Sequence, residues 1–285
     1  MLAVIGGSGV YSLDGLTKTR RVKVESPFGE PSDEVLLGEL DGESVAFLPR
    51  HGPGHSIPPS GINFRANIDA LKRVGAKQVI SISAVGSLRA DLPPGMFVIV
   101  DQFIDRTIAR EKTFFDCGVV AHVSLARPVC ARLGDRIEEA ARRLGLQHTR
   151  GGTYLVMEGP QFSTLAESEL YRTWGCDVIG MTNMPEAKLA REAELCYATV
   201  AMVTDYDCWH PDHDDVTVDM IIRTVADNAA KARELIARVV PGSAVDVCPQ
   251  GCHRVLDHAV ITAPEYRDAG AVERLAAVAG RVLQR

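Results

Sequence analysis

The sequence predicts an α/β fold with a mixed or mostly parallel central sheet flanked by helices. Short apolar runs rich in β-forming residues alternate with segments whose apolar residues recur at three- and four-residue spacing. With 285 residues, 46% of them apolar and 24% charged, the chain can bury a core of ordinary size. Alternation of this kind is typical of a sheet whose faces are covered by helices.

The elements follow in order along the chain. The first strand is an apolar run that stops at glycines, and the helix 185–193 begins with Pro185, a residue that suits the first helical turn. The predicted strands are 3–5, 45–47, 78–84, 97–100, 153–157, 178–181 and 198–204. The predicted helices are 63–74, 129–144, 163–174, 185–193 and 218–238. A connection with proline and glycine, 241–252, leads to a short extended piece and a last helix, 270–283. We therefore expect a single domain, with a main body of residues 1–240 and a C-terminal extension, 241–285, packed on it.

Composition limits the possible functions. A net charge of −6 provides no global attraction for nucleic acid, and no apolar run approaches the length of a membrane span. The N-terminus lacks the basic and long apolar regions of a signal peptide, so we expect a cytoplasmic protein. Seven scattered cysteines indicate reduced thiols. Cys248 and Cys252 have no second ligand pair nearby in the sequence, so we expect idle thiols or a local disulfide rather than zinc.

Two carboxylates follow the longest apolar strand. Residues two apart on a strand face the same way, so Asp205 and Asp207 are expected to meet side by side at its carboxyl end. Ligands bind at that edge of a parallel sheet. A carboxyl group there can accept from an exocyclic amine and, when protonated, donate to a ring nitrogen. The alternative interpretation is a pair of solvated loop acids.

Four further loops carry polar groups after predicted strands. The glycine-rich turn around Ser8 can present amides to an anion, but it lacks the third glycine and the acid of a dinucleotide site. Arg50 and His51 lie in a stiff glycine- and proline-containing loop, which suits an anion clamp or a surface turn. The small residues 83–87 and the Met181–Thr182 pair suit either a ligand or ordinary strand ends.

The combination of motifs resembles a known family. The motifs are Gly6-Gly-Ser-Gly9, Pro49-Arg-His-Gly52, Asp101-Gln-Phe-Ile-Asp-Arg-Thr107, Glu158-Gly-Pro-Gln-Phe162, Gly180-Met-Thr-Asn183 and Thr204-Asp-Tyr-Asp-Cys-Trp209. In this order they are similar to those of 5′-methylthioadenosine phosphorylases, which belong to the trimeric purine nucleoside phosphorylase family. The resemblance covers roughly residues 2–240 and implies a single-domain nucleoside phosphorylase-like fold.

The resemblance implies a role for each matching position. It implies a phosphate site at Ser8, Arg50, His51, Ser83, Ala84 and Thr182, and catalytic contacts with the purine from Asp205 and Asp207. It implies further substrate contacts at Met181, Tyr206, Phe162, Val85 and Gly86, and selectivity positions at Ser163, Val218, Ile221 and Ile222. It also implies that His122 is lent by a neighbouring subunit. The chain departs from the common family pattern at three positions. Ser8 and Ser83 replace residues that are commonly threonine in the family, and Val85 replaces one that is frequently cysteine.

The implied reaction is phosphorolysis of 5′-methylthioadenosine to adenine and 5-methylthioribose 1-phosphate, in purine and methionine salvage. Asp205, with a raised pKa, is expected to act on N7 of the leaving purine. We expect no metal and no cofactor, with inorganic phosphate as a co-substrate. The expected partners are the nucleoside, phosphate and two further copies in a homotrimer, without nucleic acid or membrane. The alternatives are a phosphorylase of methylthioinosine, inosine, guanosine or adenosine and, more remotely, a nucleoside-binding module without turnover.

Overall fold

The mixed α/β fold predicted from the sequence is confirmed. A computed structural model describes residues 1–7, 13–211, 218–244 and 247–284, without the side chains of 218–223. Within these residues, eleven strands form one mixed sheet and helices pack against it. None of the described helices combines the length and the hydropathy that crossing a bilayer requires.

The elements are numbered in chain order. The strands are β1 (Leu2–Gly6), β2 (Thr17–Val22), β3 (Val35–Leu40), β4 (Glu43–Pro49), β5 (Gln78–Ser87), β6 (Phe97–Val100), β7 (Gln102–Asp105), β8 (His148–Arg150), β9 (Thr153–Val156), β10 (Val178–Gly180) and β11 (Cys196–Asp205). The helices are α1 (Phe64–Arg73), α2 (Ala131–Arg143), α3 (Leu165–Thr173), α4 (Asn183–Glu192), α5 (Val218–Val239), α6 (Ala269–Arg274) and α7 (Ala276–Leu283).

Strand β5 is the centre of the sheet. It pairs in parallel with β1 and with almost the full length of β11, and its last residues pair antiparallel with β10. All ten residues of β11 are buried, because apolar clusters cover both faces of the sheet. This explains why the sequence of β11 is apolar without interruption rather than alternating. The carboxyl ends of β5 and β11 therefore open at one edge, side by side.

Several elements differ from the predictions. Strand β2 has the sequence Thr-Lys-Thr-Arg-Arg-Val and is almost entirely exposed, so it shows no apolar pattern and was not predicted. The predicted helix 270–283 is two helices, α6 and α7, which meet at Leu275, where ψ is near zero. The predicted extended piece after residue 253 consists instead of turns and short 3-10 segments.

The C-terminal segment shares both apolar clusters of the main body. Leu256, Leu275 and Leu283 belong to the cluster that contains α1 and α4, whereas Cys248 and Cys252 belong to the cluster that contains α2. Helix α7 also packs directly against α1. A boundary between body and extension after residue 240 stays a prediction.

Candidate active site

The carboxyl half of β5 forms one wall of the candidate site. Ala84 is exposed and Gly86 is half-buried, although every other residue of this ten-residue strand is buried. A strand covered on both faces exposes side chains only where a pocket or the sheet edge interrupts the packing. Small residues here leave the backbone accessible to a ligand. The predicted contact positions Ala84 and Gly86 therefore line open space.

An irregularity in β11 brings Asp205 to this wall. Val203 lies opposite Val85, and Asp205 lies opposite Gly86, so Thr204 is an extra residue in the register. Bulges of this kind redirect side chains and are common next to active sites. A Cβ atom on Gly86 would lie 2.8 Å from Oδ1 of Asp205. Glycine at 86 is thus required for the carboxyl group to occupy this position.

Asp205 and Asp207 are adjacent, but not for the reason that the strand periodicity suggests. Strand β11 ends at Asp205, and Asp207 lies in the following turn with a positive φ of 53°. The two-residue periodicity of a strand does not apply to this pair, because the chain turns sharply after Asp205. They meet instead because the Asp207 amide donates to Asp205 Oδ1 at 2.8 Å. Thr204 Oγ1 donates to Asp205 Oδ2 at 2.6 Å.

Both carboxyl groups are buried and favour the neutral form. Their residues are 7% and 6% exposed. Burial raises the pKa of Asp205, against the hydrogen bonds from Thr204 and the Asp207 amide. Burial also raises the pKa of Asp207, and the charge of Asp205 adds to this. The hydroxyl groups of Ser168 and Ser163 act on Asp207 as hydrogen-bond donors and oppose this rise in its pKa.

Three hydroxyl groups meet around Ser83, which lies three residues before Gly86 on β5. Ser83 Oγ lies 3.0 Å from Thr182 Oγ1 and 3.0 Å from the Tyr154 hydroxyl. Thr182 directly precedes α4 and makes no side-chain capping bond, and Met184 has the extended angles φ −119° and ψ 132°, so the regular turns of α4 begin only after Met184. Burial raises the pKa of Tyr154, which therefore stays protonated. Hydroxyl donors suit an anion, and the structure brings the predicted Ser83 and Thr182 together.

Arg50 lies beneath this cluster and is almost fully buried. Its Nε and Nη2 donate to Glu186 Oε2 and Oε1 at 2.8 and 3.1 Å. The same guanidinium donates to the Ile82 carbonyl at 3.0 Å and to Ser81 Oγ at 2.6 Å. Its charge is thus compensated by a buried carboxylate. The Arg50–Glu186 pair therefore gives the expected anion site no net positive charge, and the site offers hydrogen-bond donors instead.

His51 is neutral. Burial, followed by the charge of Arg50, lowers its pKa from 6.5 to about 4. Its Nδ1 lies 2.9 Å from the Ile57 carbonyl, and because a carbonyl only accepts, Nδ1 carries the proton. The ring stacks on His55 with centroids 4.1 Å apart. Nε2 is then an acceptor, which suits the proton of a hydrogen phosphate rather than a bare oxyanion.

The other predicted substrate contacts differ in their exposure and in their hydrogen-bond partners. Met181, directly before Thr182, is half-buried, and Phe162 is 43% exposed. Ser163 Oγ donates to the Met157 sulfur at 3.7 Å. The Tyr206 hydroxyl donates to the Ala90 carbonyl at 3.3 Å rather than to either carboxyl group. The Val85 side chain packs in the core, so only the backbone of this residue is available to a ligand.

Five predicted positions are not placed in the pocket. Ser8 lies outside the described residues, as do the side chains of Val218, Ile221 and Ile222 in the first turns of α5. His122 is exposed, and its amide donates to the Ala259 carbonyl in the C-terminal segment at 2.8 Å. No described contact joins its side chain to Asp205 or Ser83 of the same chain. A role for His122 therefore depends on a second copy and stays a prediction.

Sequence reasoning missed three residues that hold the site together. Thr204 orients Asp205, Tyr154 completes the hydroxyl cluster, and Glu186 compensates Arg50. Glu186 had a detectable signal, because an acid in the first turn of a buried helix requires a cationic partner. The sequence does not distinguish Tyr154 from a core aromatic residue, since it lies within the buried strand β9. Gly180 is its counterpart, as a Cβ there would collide with the tyrosine hydroxyl.

Comparison with known proteins gives a consistent result over the whole chain. Residues 1–241 match the family model described as the phosphorylase superfamily. The S-methyl-5′-thioadenosine phosphorylase of Rhodospirillum rubrum is 64% identical over 286 residues, which covers 99% of this chain and 97% of the relative. The protein of the same name from Cereibacter sphaeroides is 61% identical, with coverage of 100% and 99%.

Solved structures agree with the sequence relatives. A methylthioadenosine phosphorylase from an antarctic soil metagenomic library superposes with a TM-score of 0.91 at 48% identity, covering 97% of this chain and 98% of that one. The Schistosoma mansoni methylthioadenosine phosphorylase in complex with adenine gives a TM-score of 0.85 at 34% identity, covering 92% and 99%. The likeness therefore includes the C-terminal segment as well as the sheet.

Proposed function

Because the chain belongs to the phosphorylase superfamily, and within it to the 5′-methylthioadenosine phosphorylases, we propose that it cleaves 5′-methylthioadenosine with inorganic phosphate. The products are adenine and 5-methylthioribose 1-phosphate, and the enzyme is a pentosyltransferase of purine and methionine salvage. Relatives that share half or more of its residues over nearly the full length carry this activity in their names.

The observation that carries the proposal is the pair of buried carboxyl groups beside Gly86. Adenine leaves poorly as an anion, so cleavage of its bond to the sugar requires a proton or a strong hydrogen bond at N7. A carboxyl group whose pKa is raised by burial supplies that proton. The second carboxyl group, that of Asp207, can accept from the 6-amino group of the same ring.

The hydroxyl cluster supports a phosphate site on the same strand. Ser83 and Gly86 are three residues apart on β5, which separates them by about 10 Å. This span suits a purine at one end and the anomeric carbon with its attacking phosphate at the other. The hydroxyl groups of Ser83 and Thr182 would orient the phosphate. Neutral His51 would accept a hydrogen bond, through Nε2, from the P–OH group that phosphate carries near neutral pH.

The charge changes of the reaction fit this layout. A phosphate oxygen forms the new bond to the anomeric carbon as the bond from that carbon to N9 of adenine breaks. Positive charge develops on the sugar between the two ends of the site, and the phosphate dianion stabilises it. Asp205 gives its proton to N7 and becomes a carboxylate, which the Thr204 hydroxyl and the Asp207 amide already stabilise through hydrogen bonds.

The direct test is release of adenine with and without phosphate. The proposal requires that purified protein release adenine from 5′-methylthioadenosine only when phosphate is present. A nucleoside-binding module would bind the nucleoside in calorimetry, independently of phosphate, and would release nothing. Faster cleavage of methylthioinosine than of methylthioadenosine would contradict the proposed preference for a 6-amino group.

Three further properties belong to the proposal. We infer that phosphate is a co-substrate, that no organic cofactor takes part, and that three copies assemble with His122 of one copy near the site of the next. A cytoplasmic location is supported by the seven cysteines, all of which are free thiols. Mixing an Asp205→Asn chain with a His122→Ala chain tests the shared site, because mixed assemblies then regain one intact site.

A further inference from the structure

Four cysteines that are far apart in the sequence meet in one buried cluster, defined here as the thiol cluster. It consists of Cys130, Cys196, Cys248 and Cys252. All four residues are buried, and their sulfur atoms lie within 4.8 Å of one another. The sequence places no second ligand pair near Cys248 and Cys252 and therefore predicts no zinc site. The fold supplies that pair from two other elements, through Cys130 before α2 and Cys196 at the start of β11.

We infer that the thiol cluster binds one Zn²⁺ ion through all four sulfur atoms. A tetrahedral ion with Zn–S bonds of about 2.3 Å holds its sulfur ligands about 3.8 Å apart. The sulfur atoms of Cys130 and Cys248 are already 3.8 Å apart. The other separations, up to 4.8 Å, close to this value with side-chain shifts of about an ångström or less. Soft thiolates select zinc over the hard cations that carboxylates prefer.

The surroundings compensate the charge of such a site. Four thiolates and one Zn²⁺ carry two net negative charges, which require partners in a buried place. Arg191 donates from Nη1 to the sulfur of Cys252 at 3.8 Å. Arg132 lies against the thiols of Cys196 and Cys248, and its Nε is buried without a hydrogen-bond partner in the described part of the chain. Cys130 is also the N-cap of α2, where the helix dipole favours a thiolate.

The place of the cluster in the fold indicates a structural role. Cys196 opens β11, whose other end carries Asp205, nine residues later and therefore about 30 Å away. With four protein ligands the ion has no open position for a substrate, as in structural zinc sites. Cys248 and Cys252 would be joined to the first residues of α2 and β11. The metal would thus fasten the C-terminal segment to the sheet without taking part in phosphorolysis.

The first experiment measures metal in the unaltered protein. The chain is produced in zinc-supplemented medium, purified under reducing conditions and analysed by elemental mass spectrometry, with the expectation of one zinc per chain. An organomercurial reagent should release this zinc in step with modification of four thiols. Replacement by Co²⁺ should give the intense visible bands of tetrahedral thiolate coordination. Reduced protein that holds no stoichiometric zinc after incubation with Zn²⁺ would overturn the inference, and so would disulfides between these cysteines that persist under those conditions.

The second experiment uses matched cysteine variants. Cys248→Ser removes one ligand, whereas Cys176→Ser alters a buried cysteine that lies in a separate apolar cluster. We expect Cys248→Ser to lose stoichiometric zinc and to melt at a lower temperature than Cys176→Ser, which should retain one zinc per chain. Equal zinc content in both variants would contradict the assignment. If Cys248→Ser does not fold, the metal content and Co²⁺ spectrum of the unaltered chain still decide the question.

Discussion

Arg50 and Glu186, 136 residues apart in the chain, form a two-point ion pair beneath the candidate anion site. The side chains are each 2% exposed, so water does not screen the pair. The Tyr197 hydroxyl donates a further hydrogen bond to Glu186 at 2.9 Å, and burial raises the pKa of that tyrosine well above its usual value. The arginine fork is therefore held in one orientation under β5.

We expect Glu186→Gln to weaken phosphate binding and to destabilise the protein. The amide keeps the size of the side chain but leaves the buried charge of Arg50 without compensation, at a cost of about 3–5 kcal/mol. The KM for phosphate should rise about tenfold or more, and more than the KM for the nucleoside, because the guanidinium under β5 loses the two-point pair that fixes its orientation. Steady-state kinetics with each substrate varied and urea unfolding measure the two effects.

Glu192→Gln is the matched control on the same helix. Glu192 is also buried, but burial raises its pKa to about 7, against hydrogen bonds from the Phe114 amide and Thr113 and the charge of Lys188. An amide can replace it with both hydrogen bonds satisfied, since the Thr113 hydroxyl can accept. Equal changes of the phosphate KM in both variants would show that the Arg50 pair has no special role.

Gly86→Ala should reduce activity by displacing a catalytic group. The added methyl group would lie 2.8 Å from Asp205 Oδ1 and 3.3 Å from Asp207 Cβ, and Asp205 is held by two hydrogen bonds that resist movement. We expect kcat to fall about 100-fold, as for a misplaced catalytic group. Gly280→Ala in α7 is the control, because the nearest atom there is 3.6 Å away on a flexible side chain. Full activity of Gly86→Ala would argue against this position for Asp205.

Asp205→Asn should separate catalysis from stability. The amide cannot transfer a proton, so kcat should fall between about 10²- and 10⁴-fold, with little change in the nucleoside Kd. The pKa of Asp205 is raised, so ionised enzyme accumulates as the pH rises and the rate falls on the alkaline side. The variant should lose that alkaline decline. Stopped assays of adenine release over a pH range measure both effects, and a variant with more than about a tenth of normal turnover would contradict the role.

The same substitution should raise the free energy of unfolding above neutral pH. A carboxyl group with a raised pKa in the folded state stabilises the fold below its unfolded pKa, and this contribution is lost as the pH rises. The asparagine side chain cannot ionise, and it can accept from the Asp207 amide while donating to Thr204 Oγ1. We expect a higher urea midpoint than in the unaltered protein at pH 8 and no such gain at pH 4. A lower midpoint at pH 8 would show that the carboxylate is better solvated than its burial indicates.

His51→Gln should flatten the loss of stability in acid. The histidine binds a proton near pH 6.5 when unfolded but only near pH 4 when folded, so stability present above pH 6.5 is lost as the pH falls toward 4. Linkage with these two values gives a loss of about 2 kcal/mol at pH 5. Urea unfolding at pH 7.5 and pH 5 should show a drop smaller by about this amount in His51→Gln. An equal drop in both proteins would mean that His51 is not buried as described.

The fold class could be predicted because the periodicity of apolar residues is a local property. The apolar run that forms β11 and the helical spacing of α1 and α2 need no knowledge of partners. Strand β2 could not be predicted in this way, since it is held by pairing with β3 rather than by burial of its own side chains. The break between α6 and α7 likewise lies in a segment whose residues at the junction are all good helix formers.

The order of motifs predicted candidate residues for the site, but not how their side chains contact one another. Asp205, Ser83 and Thr182 were expected near a ligand, and the structure brings the last two into contact at 3.0 Å. The bulge at Thr204, the compensation of Arg50 by Glu186 and the neutral state of His51 were not predicted. The bulge depends on register within the sheet, the ion pair on a contact between residues more than 100 positions apart, and the neutral state of His51 on burial.

The sequence alone therefore determined the alternation of strands and helices and the chemical groups available at the strand ends, because both depend only on residues close together in the chain. Tertiary structure alone decided which groups are charged, which are paired and which sulfur atoms meet. A pKa depends on the solvent and charges that surround a group, and those are set by chain segments distant in sequence. The thiol cluster is the clearest case, since its four members become neighbours only when α2, β11 and the C-terminal segment pack together.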